Sequence, residues 1–170
     1  MKIFLKINIL LVVCTIWFSC SISYKFNGAS IDYTKVTSIS IKDFPNMAAL
    51  VYAPLTQKFT EELKDKYTRQ TKLKVLRENG DLDLEGEIIN YTLTPQAVKE
   101  DAYASQTRLT ITVRVRYTNN TNSEEDFEQT FSAYQDFSND NTIEQVQDQL
   151  SQEIIKEIID QIFNQTVANW

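Results

Sequence analysis

Arg108, Arg114 and Arg116 fall on even positions of a run whose odd positions are Leu109, Ile111, Val113, Val115 and Tyr117. Side chains two apart on a strand share a face, so the run predicts a strand with one apolar side and one arginine side. A guanidinium is a rigid, planar fork of donors matched to phosphate or carboxylate. Two outcomes follow. The arginines form a candidate anion-binding patch, suited to phosphate or carboxylate and joined by Lys72 or Lys74 from another strand. Alternatively they are a soluble strand face neutralised by Glu85, Glu87 or Glu128. The residues leave both open.

Little else in the chain has the composition of a catalytic site. Histidine is absent and cysteine occurs twice, at Cys14 and Cys20, so the common nucleophile–base pairs are missing. The three glycines, Gly28, Gly80 and Gly86, form no phosphate-cradling loop. Paired carboxylates can do acid–base work, and Glu100–Asp101 and Glu124–Glu125–Asp126 are available, but both lie in polar segments that read as solvated loops. The row Asp81, Asp83, Glu85, Glu87 alternates with Leu82, Leu84 and Gly86. It reads as the wet side of a strand, because calcium ligands wrap around a turn. The expectation is a non-enzyme with no metal and no cofactor.

Cys20 carries a different chemistry. Lys2 and Lys6 give a basic start, Ile7 to Phe18 is apolar except for Asn8 and Thr15, and Ser19 is small. That pattern is a secretory leader, and its apolar run is too short to span a membrane. A cysteine directly after the small residue resembles a bacterial lipobox, in which the thiol is acylated and becomes the new N-terminus. Trp17 and Phe18 depart from the usual pattern. Cys14 is the rival, but it follows Val13, a poor residue before a cut. Residues 1–19 are therefore expected to be a lipoprotein leader, 20–34 a lipidated tether, and 35–170 one domain. The whole chain has 17 basic and 23 acidic side chains. Because the leader holds Lys2, Lys6 and no acid, the remainder is more acidic still. Such a domain has no general attraction to nucleic acid.

The elements that must position these residues follow from periodicity. Lys35 to Phe44 reads as a first strand, broken by Pro45. Pro54 suits a helix start, and Leu55, Phe59, Leu63 and Tyr67 recur at steps of four. Lys72 to Leu76 is a short strand candidate, and Glu78 to Asp81 a turn. A strand from Asp81 to Pro95 slips phase after Ile88, which predicts a bulge near Gly86. A polar connection, 96–106, leads to the arginine strand. Asn119 to Ser123 is a loop, and Phe127 to Phe137 pairs back as a hairpin. Thr142 with Gln145 is a capping box opening a helix with a wide stripe from Ile143 through Ile154, Ile158 and Ile162 to Val167. Strands in runs with helices at separate places argue for an α+β fold, two helices on one face of a mixed sheet.

The segments Asp43–Phe44–Pro45–Asn46, Tyr52–Ala53–Pro54–Leu55, Asp81 to Gly86, Glu100 to Leu109, and the ending Gln161 to Trp170 together resemble the lipopolysaccharide-assembly lipoprotein family LptE in its Bacteroidetes form. The resemblance covers nearly the whole mature chain. It implies a four-stranded, mixed, mainly antiparallel sheet with two helices on one face. It also implies an outer-membrane lipoprotein facing the periplasm, seated in the lumen of the LptD β-barrel and supporting lipopolysaccharide transport. The chain runs Cys20-Ser21-Ile22-Ser23-Tyr24 where the proteobacterial branch has Cys-Gly-Tyr-His-Leu, so that branch's ligand residues are not carried over. A pilotin-like chaperone for a secretion pore is the alternative.

Overall fold

The computed structural model describes residues 31–50, 52–96 and 105–167. Cys14, Cys20, Glu100 and Asp101 lie outside them. Five strands form one sheet: β1 (Ser38–Ile41), β2 (Lys74–Leu76), β3 (Leu82–Gln96), β4 (Gln106–Asn119) and β5 (Phe127–Ser138), in the order β2-β1-β3-β4-β5. The helices are α1 (Leu55–Gln70), between β1 and β2, and α2 (Ile143–Thr166), after β5. The sheet is mixed: β1 is parallel to both β2 and β3, whereas β3, β4 and β5 are antiparallel. The α+β architecture is as expected, but the sheet has five strands rather than four. The member beyond four is the three-residue β2, which falls where Lys72 to Leu76 reads as a strand candidate and pairs with β1 through Ser38 to Ser40. Among the described residues no helix is long and apolar enough to cross a membrane.

One core lies between the helices and the sheet. From α1 it takes Leu55, Phe59, Leu63 and Tyr67, the four residues at helical spacing, and from α2 Leu150, Ile154, Ile155, Ile158, Ile159, Ile162 and Phe163. The sheet supplies Ile39, Ile41, Leu82, Leu84, Ile88, Tyr91, the odd positions of β4 from Leu109 to Tyr117, Phe131 and Ala133. Fully burying each such Leu or Ile contributes roughly 1.5–3 kcal/mol, which is what holds both helices to one face. Ion pairs then stitch the helices together, Lys66 to Asp160 at 2.7 Å and Lys58 to Asp148. Gln145 closes its half of the capping box, accepting from the Thr142 N–H at 2.9 Å.

Two glycines are required by close approach. The link from β2 to β3 crosses the face of β1, and a Cβ on Gly80 would sit 2.4 Å from the Ser40 nitrogen and 2.8 Å from the Ile39 carbonyl carbon. Asn79, just before it, has φ 57°, a left-handed turn that Asn tolerates. Asp81 fastens the crossing: its carboxylate accepts from the N–H groups of Thr37, at 2.8 Å, and Ser38, at 3.0 Å, and from both hydroxyls. Gly86 makes room for the buried Phe44 ring, since a Cβ there would lie 2.5 Å from Phe44 Cε1 and 2.2 Å from the Arg114 carbonyl oxygen.

The phase slip read after Ile88 is where the strand shifts, but its seat is not Gly86. The β3–β4 register shifts between Ile88 and Asn90, not at Gly86. Before the shift Leu82, Leu84 and Ile88 face the helices; after it Tyr91 does, with Leu93 partly buried. Pro95 does not end the strand, because it still pairs with Thr107 and Gln96 with Gln106.

Candidate functional site

The sheet face away from the helices carries the candidate residues. Alternate rungs of β3, β4 and β5, from Glu85 to Thr94, place three side chains in line across it, because the pairing of β4 with β5 is unbroken and that of β3 with β4 shifts only once. At one end Glu85, Arg116 and Glu128 share a rung, and Glu87, Arg114 and Thr130 the next. At the other, Thr94, Arg108 and Asp136 align. Between them lies a band of hydroxyl and amide groups: Asn90, Thr92, Thr110, Thr112, Ser132 and Tyr134.

The three arginines therefore do not form one patch. Arg114 and Arg116 are neighbours, whereas Arg108 is six positions away, roughly 20 Å at the rise of a strand. Lys72 and Lys74 do not join them either. Lys74 is on β2, three strands from β4, or roughly 14 Å at ordinary strand spacing, and Lys72 lies with its Nζ 5.8 Å from the centre of the Tyr33 ring. The lysine that does join is Lys42, just past β1, which binds Glu85. Its sequence signal was the period of two through Ser38 and Ser40, which puts Lys42 on the open face.

Each arginine is held by carboxylates. Arg114 Nη1 donates to Glu87 Oε1 at 2.8 Å. Arg116 spans two strands, donating through Nη1 to Glu85 Oε1 at 2.9 Å and through Nη2 and Nε to Glu128 Oε2 at 3.1 and 3.2 Å. Arg108 makes a two-pronged contact with Asp136, 2.7 Å from Nε and 2.9 Å from Nη2, and stacks 3.6 Å above the Tyr134 ring. The Lys42 ammonium, then Arg116, hold the Glu85 carboxyl below its ordinary range. Arg108 does the same for Asp136. Glu85, Glu87 and Glu128 are the partners that the sequence had offered for a neutralised face; Asp136 was not among them.

Around Arg114 and Arg116 the surface dips into a shallow depression of about 310 Å³ lined by Lys42, Asp43, Glu85, Glu87, Glu128 and the two arginines. Three cations meet four carboxylates there, so the depression has no net positive charge. An anion there competes with the carboxylates for Arg116, which Glu85 and Glu128 hold, while Arg114 is tied through Nη1 alone. The acidic row of β3 is equally committed. Asp83 accepts from the Ser40 hydroxyl and, at 2.7 Å, from Asn120 Nδ2, while Glu85 and Glu87 are tied to the cations.

A sequence model of the family described as LptE, lipopolysaccharide-assembly, matches residues 36–166. Comparison with curated proteins returns no match. Among solved structures, a minor lipoprotein of Acinetobacter baumannii superposes with a TM-score of 0.50 at 19% identity, covering 79% of this chain and 94% of that one. A Xanthomonas campestris protein gives 0.52 at 11%, covering 79% and 86%. A hypothetical protein of Chlamydia trachomatis gives 0.50 at 14%, covering 78% and 99%. At these identities the likeness to solved structures shows the fold alone.

Proposed function

This chain belongs to the LptE lipopolysaccharide-assembly family, and we propose that it acts there as a plug and assembly partner for the outer-membrane barrel LptD, anchored by lipid on Cys20. The match over residues 36–166 carries this reading. The mechanism is physical. Helices cover one face of the sheet, and three long strands of 15, 14 and 12 residues make the rest a stiff slab with a polar, open face. A slab of this kind can fill a water-lined lumen without exposing a greasy surface, and can hold the barrel's strands in register from inside.

Lipopolysaccharide is the anionic ligand, and Arg114, Arg116 and Arg108 are the groups proposed to meet its phosphates. In the unliganded protein they are neutralised by Glu85, Glu87, Glu128 and Asp136. Binding is then an exchange of carboxylate for phosphate at a guanidinium, which suits a surface that must release what it holds. Anchoring through Cys20 needs more than one acyl chain, since each buried methylene contributes only about 0.8 kcal/mol. Mature protein purified from outer membranes should bring a large β-barrel with it. A preparation free of any barrel protein refutes the plug reading.

A further inference from the structure

Among the described residues, the long strand β5 has one entire edge with no strand partner. It pairs with β4 on one side, and among the described residues no strand pairs with the other. The N–H of Asn139, next after β5, donates to the Ser105 carbonyl at 3.1 Å, and the register from there back to Phe127 is unbroken. Directly opposed residues of an antiparallel pair exchange both hydrogen bonds, and the pairs alternate. Odd positions of β5 therefore turn their main-chain groups to β4, and Glu128, Thr130, Ser132, Tyr134 and Asp136 turn theirs outward. Exposed edges of this length are normally blunted by charged side chains, lysine above all, by proline or by a bulge. Phe127–Ser138 has no lysine, proline or bulge, and its two charges, Glu128 and Asp136, stand near its ends.

We propose that the free edge of β5 is a docking site for an extended protein segment, which adds as a sixth strand. This rests on the reading of a barrel partner and names the surface that partner engages. The chemistry narrows the occupant. Two copies of this chain paired about Ser132 would set Glu128 directly against Asp136, and like charges opposite one another destabilise a ladder. Glu124, Glu125 and Asp126 before the strand and Asp140 after it add to the repulsion. Nor can the wall of a closed barrel supply the strand, because its backbone groups are already paired. The occupant is a loop of the barrel partner reaching into the lumen, extended, and neutral or basic where it meets Glu128 and Asp136.

Proline separates the backbone role from the side chains. At Thr130 and Tyr134 it removes an outward N–H and no bond to β4, a placement edge strands tolerate. Thr130→Pro and Tyr134→Pro should each weaken association with LptD in detergent about fivefold, the size of one lost main-chain hydrogen bond, while Thr130→Ala and Tyr134→Phe bind as wild type. In the wild-type complex the amides of Thr130, Ser132 and Tyr134 should exchange with deuterium more slowly than in the free protein, a measurement independent of how the proline variants fold. Prolines that bind as wild type, or edge amides that exchange equally fast in the complex, overturn the docking site and leave the plug reading standing. Wild-type self-association abolished by the prolines assigns the edge to a second copy and overturns it too. A wild-type protein that captures no barrel overturns both.

Discussion

Arg114 stands directly across from Glu87 in the register of β4 and β3, and its Nη1 donates to Glu87 Oε1 over 2.8 Å. The same carboxylate that makes the face soluble is a competitor for an anionic ligand at Arg114. Arg114→Glu with Arg116→Glu should therefore weaken binding of purified lipopolysaccharide at fixed ionic strength. Glu85→Gln with Glu87→Gln should strengthen it, by about tenfold, or roughly 1.4 kcal/mol, because Arg114, Lys42 and one side of Arg116 are released. Equal binding by wild type and both double variants would mean that the network only solubilises a strand.

The same substitutions should barely move stability. The side chains of Arg114 and Arg116 are 47% and 58% exposed, and exposed pairs contribute roughly 0.2–1 kcal/mol each. Urea unfolding of Glu87→Gln should fall within that range. A loss of several kcal/mol would assign these pairs a structural role.

Gly86→Ala should be far more costly. The added methyl group meets the Arg114 carbonyl oxygen at 2.2 Å and the Phe44 ring at 2.5 Å. Phe44 is fully buried and packed 5.0 Å from Phe59, so neither neighbour can give way freely. Overpacking of this kind costs about 1–3 kcal/mol or more. A thermal midpoint unchanged from wild type would refute this account of the glycine. Phe44→Leu in the same background should recover part of the loss.

Acid should loosen the crossing over β1. Hydrogen bonds from Thr37 and Ser38 hold the Asp81 carboxyl below its ordinary value of 3.8. A carboxyl depressed in the folded state contributes stability that is present above the unfolded value and is lost as pH falls through the folded one. Asp81→Asn should lower stability at neutral pH and flatten the pH dependence below about 4. A variant with the wild-type slope there would show that Asp81 does not carry it.

Alkali probes a buried titrating group. Burial, opposed only in part by the Thr166 hydroxyl, pushes the Tyr67 phenol well above its ordinary value of 10. Its contribution is complete below 10 and is lost as pH rises through the folded value. Tyr67→Phe should cost only about 0.5–1.5 kcal/mol, since Thr166 keeps the Ile162 carbonyl at 2.9 Å, and should lessen the alkaline loss. An unchanged alkaline unfolding curve would contradict this.

What was legible in the chain was whatever repeats with a local period. The alternation through Val113 and Val115 gave away β4 and its two faces, and the four-step spacing from Leu55 to Tyr67 gave away α1. The hairpin of β4 with β5 was legible too, as were Glu85, Glu87 and Glu128 as partners for the arginines. Which arginine meets which carboxylate depends on register, so Asp136 as the partner of Arg108 was missed, and so was Lys42, which enters the depression although it is far from β4 in sequence. The bulge was misplaced for a related reason. Gly86 looked like a defect in the strand, whereas it is the seat of Phe44, a residue 42 positions earlier in the chain. Family membership was carried by scattered segments, and the match over residues 36–166 establishes it. The predicted cut before Cys20 and the polar segment holding Glu100 and Asp101 lie outside the described residues.

The most direct measurement of the central claim is depletion of this protein in its own cells, with surface lipopolysaccharide and folded LptD followed together. Both should fall, with unassembled barrel accumulating in the periplasm, and wild-type protein supplied in trans should restore both. Surface lipopolysaccharide and folded barrel that persist unchanged after full depletion would contradict the account.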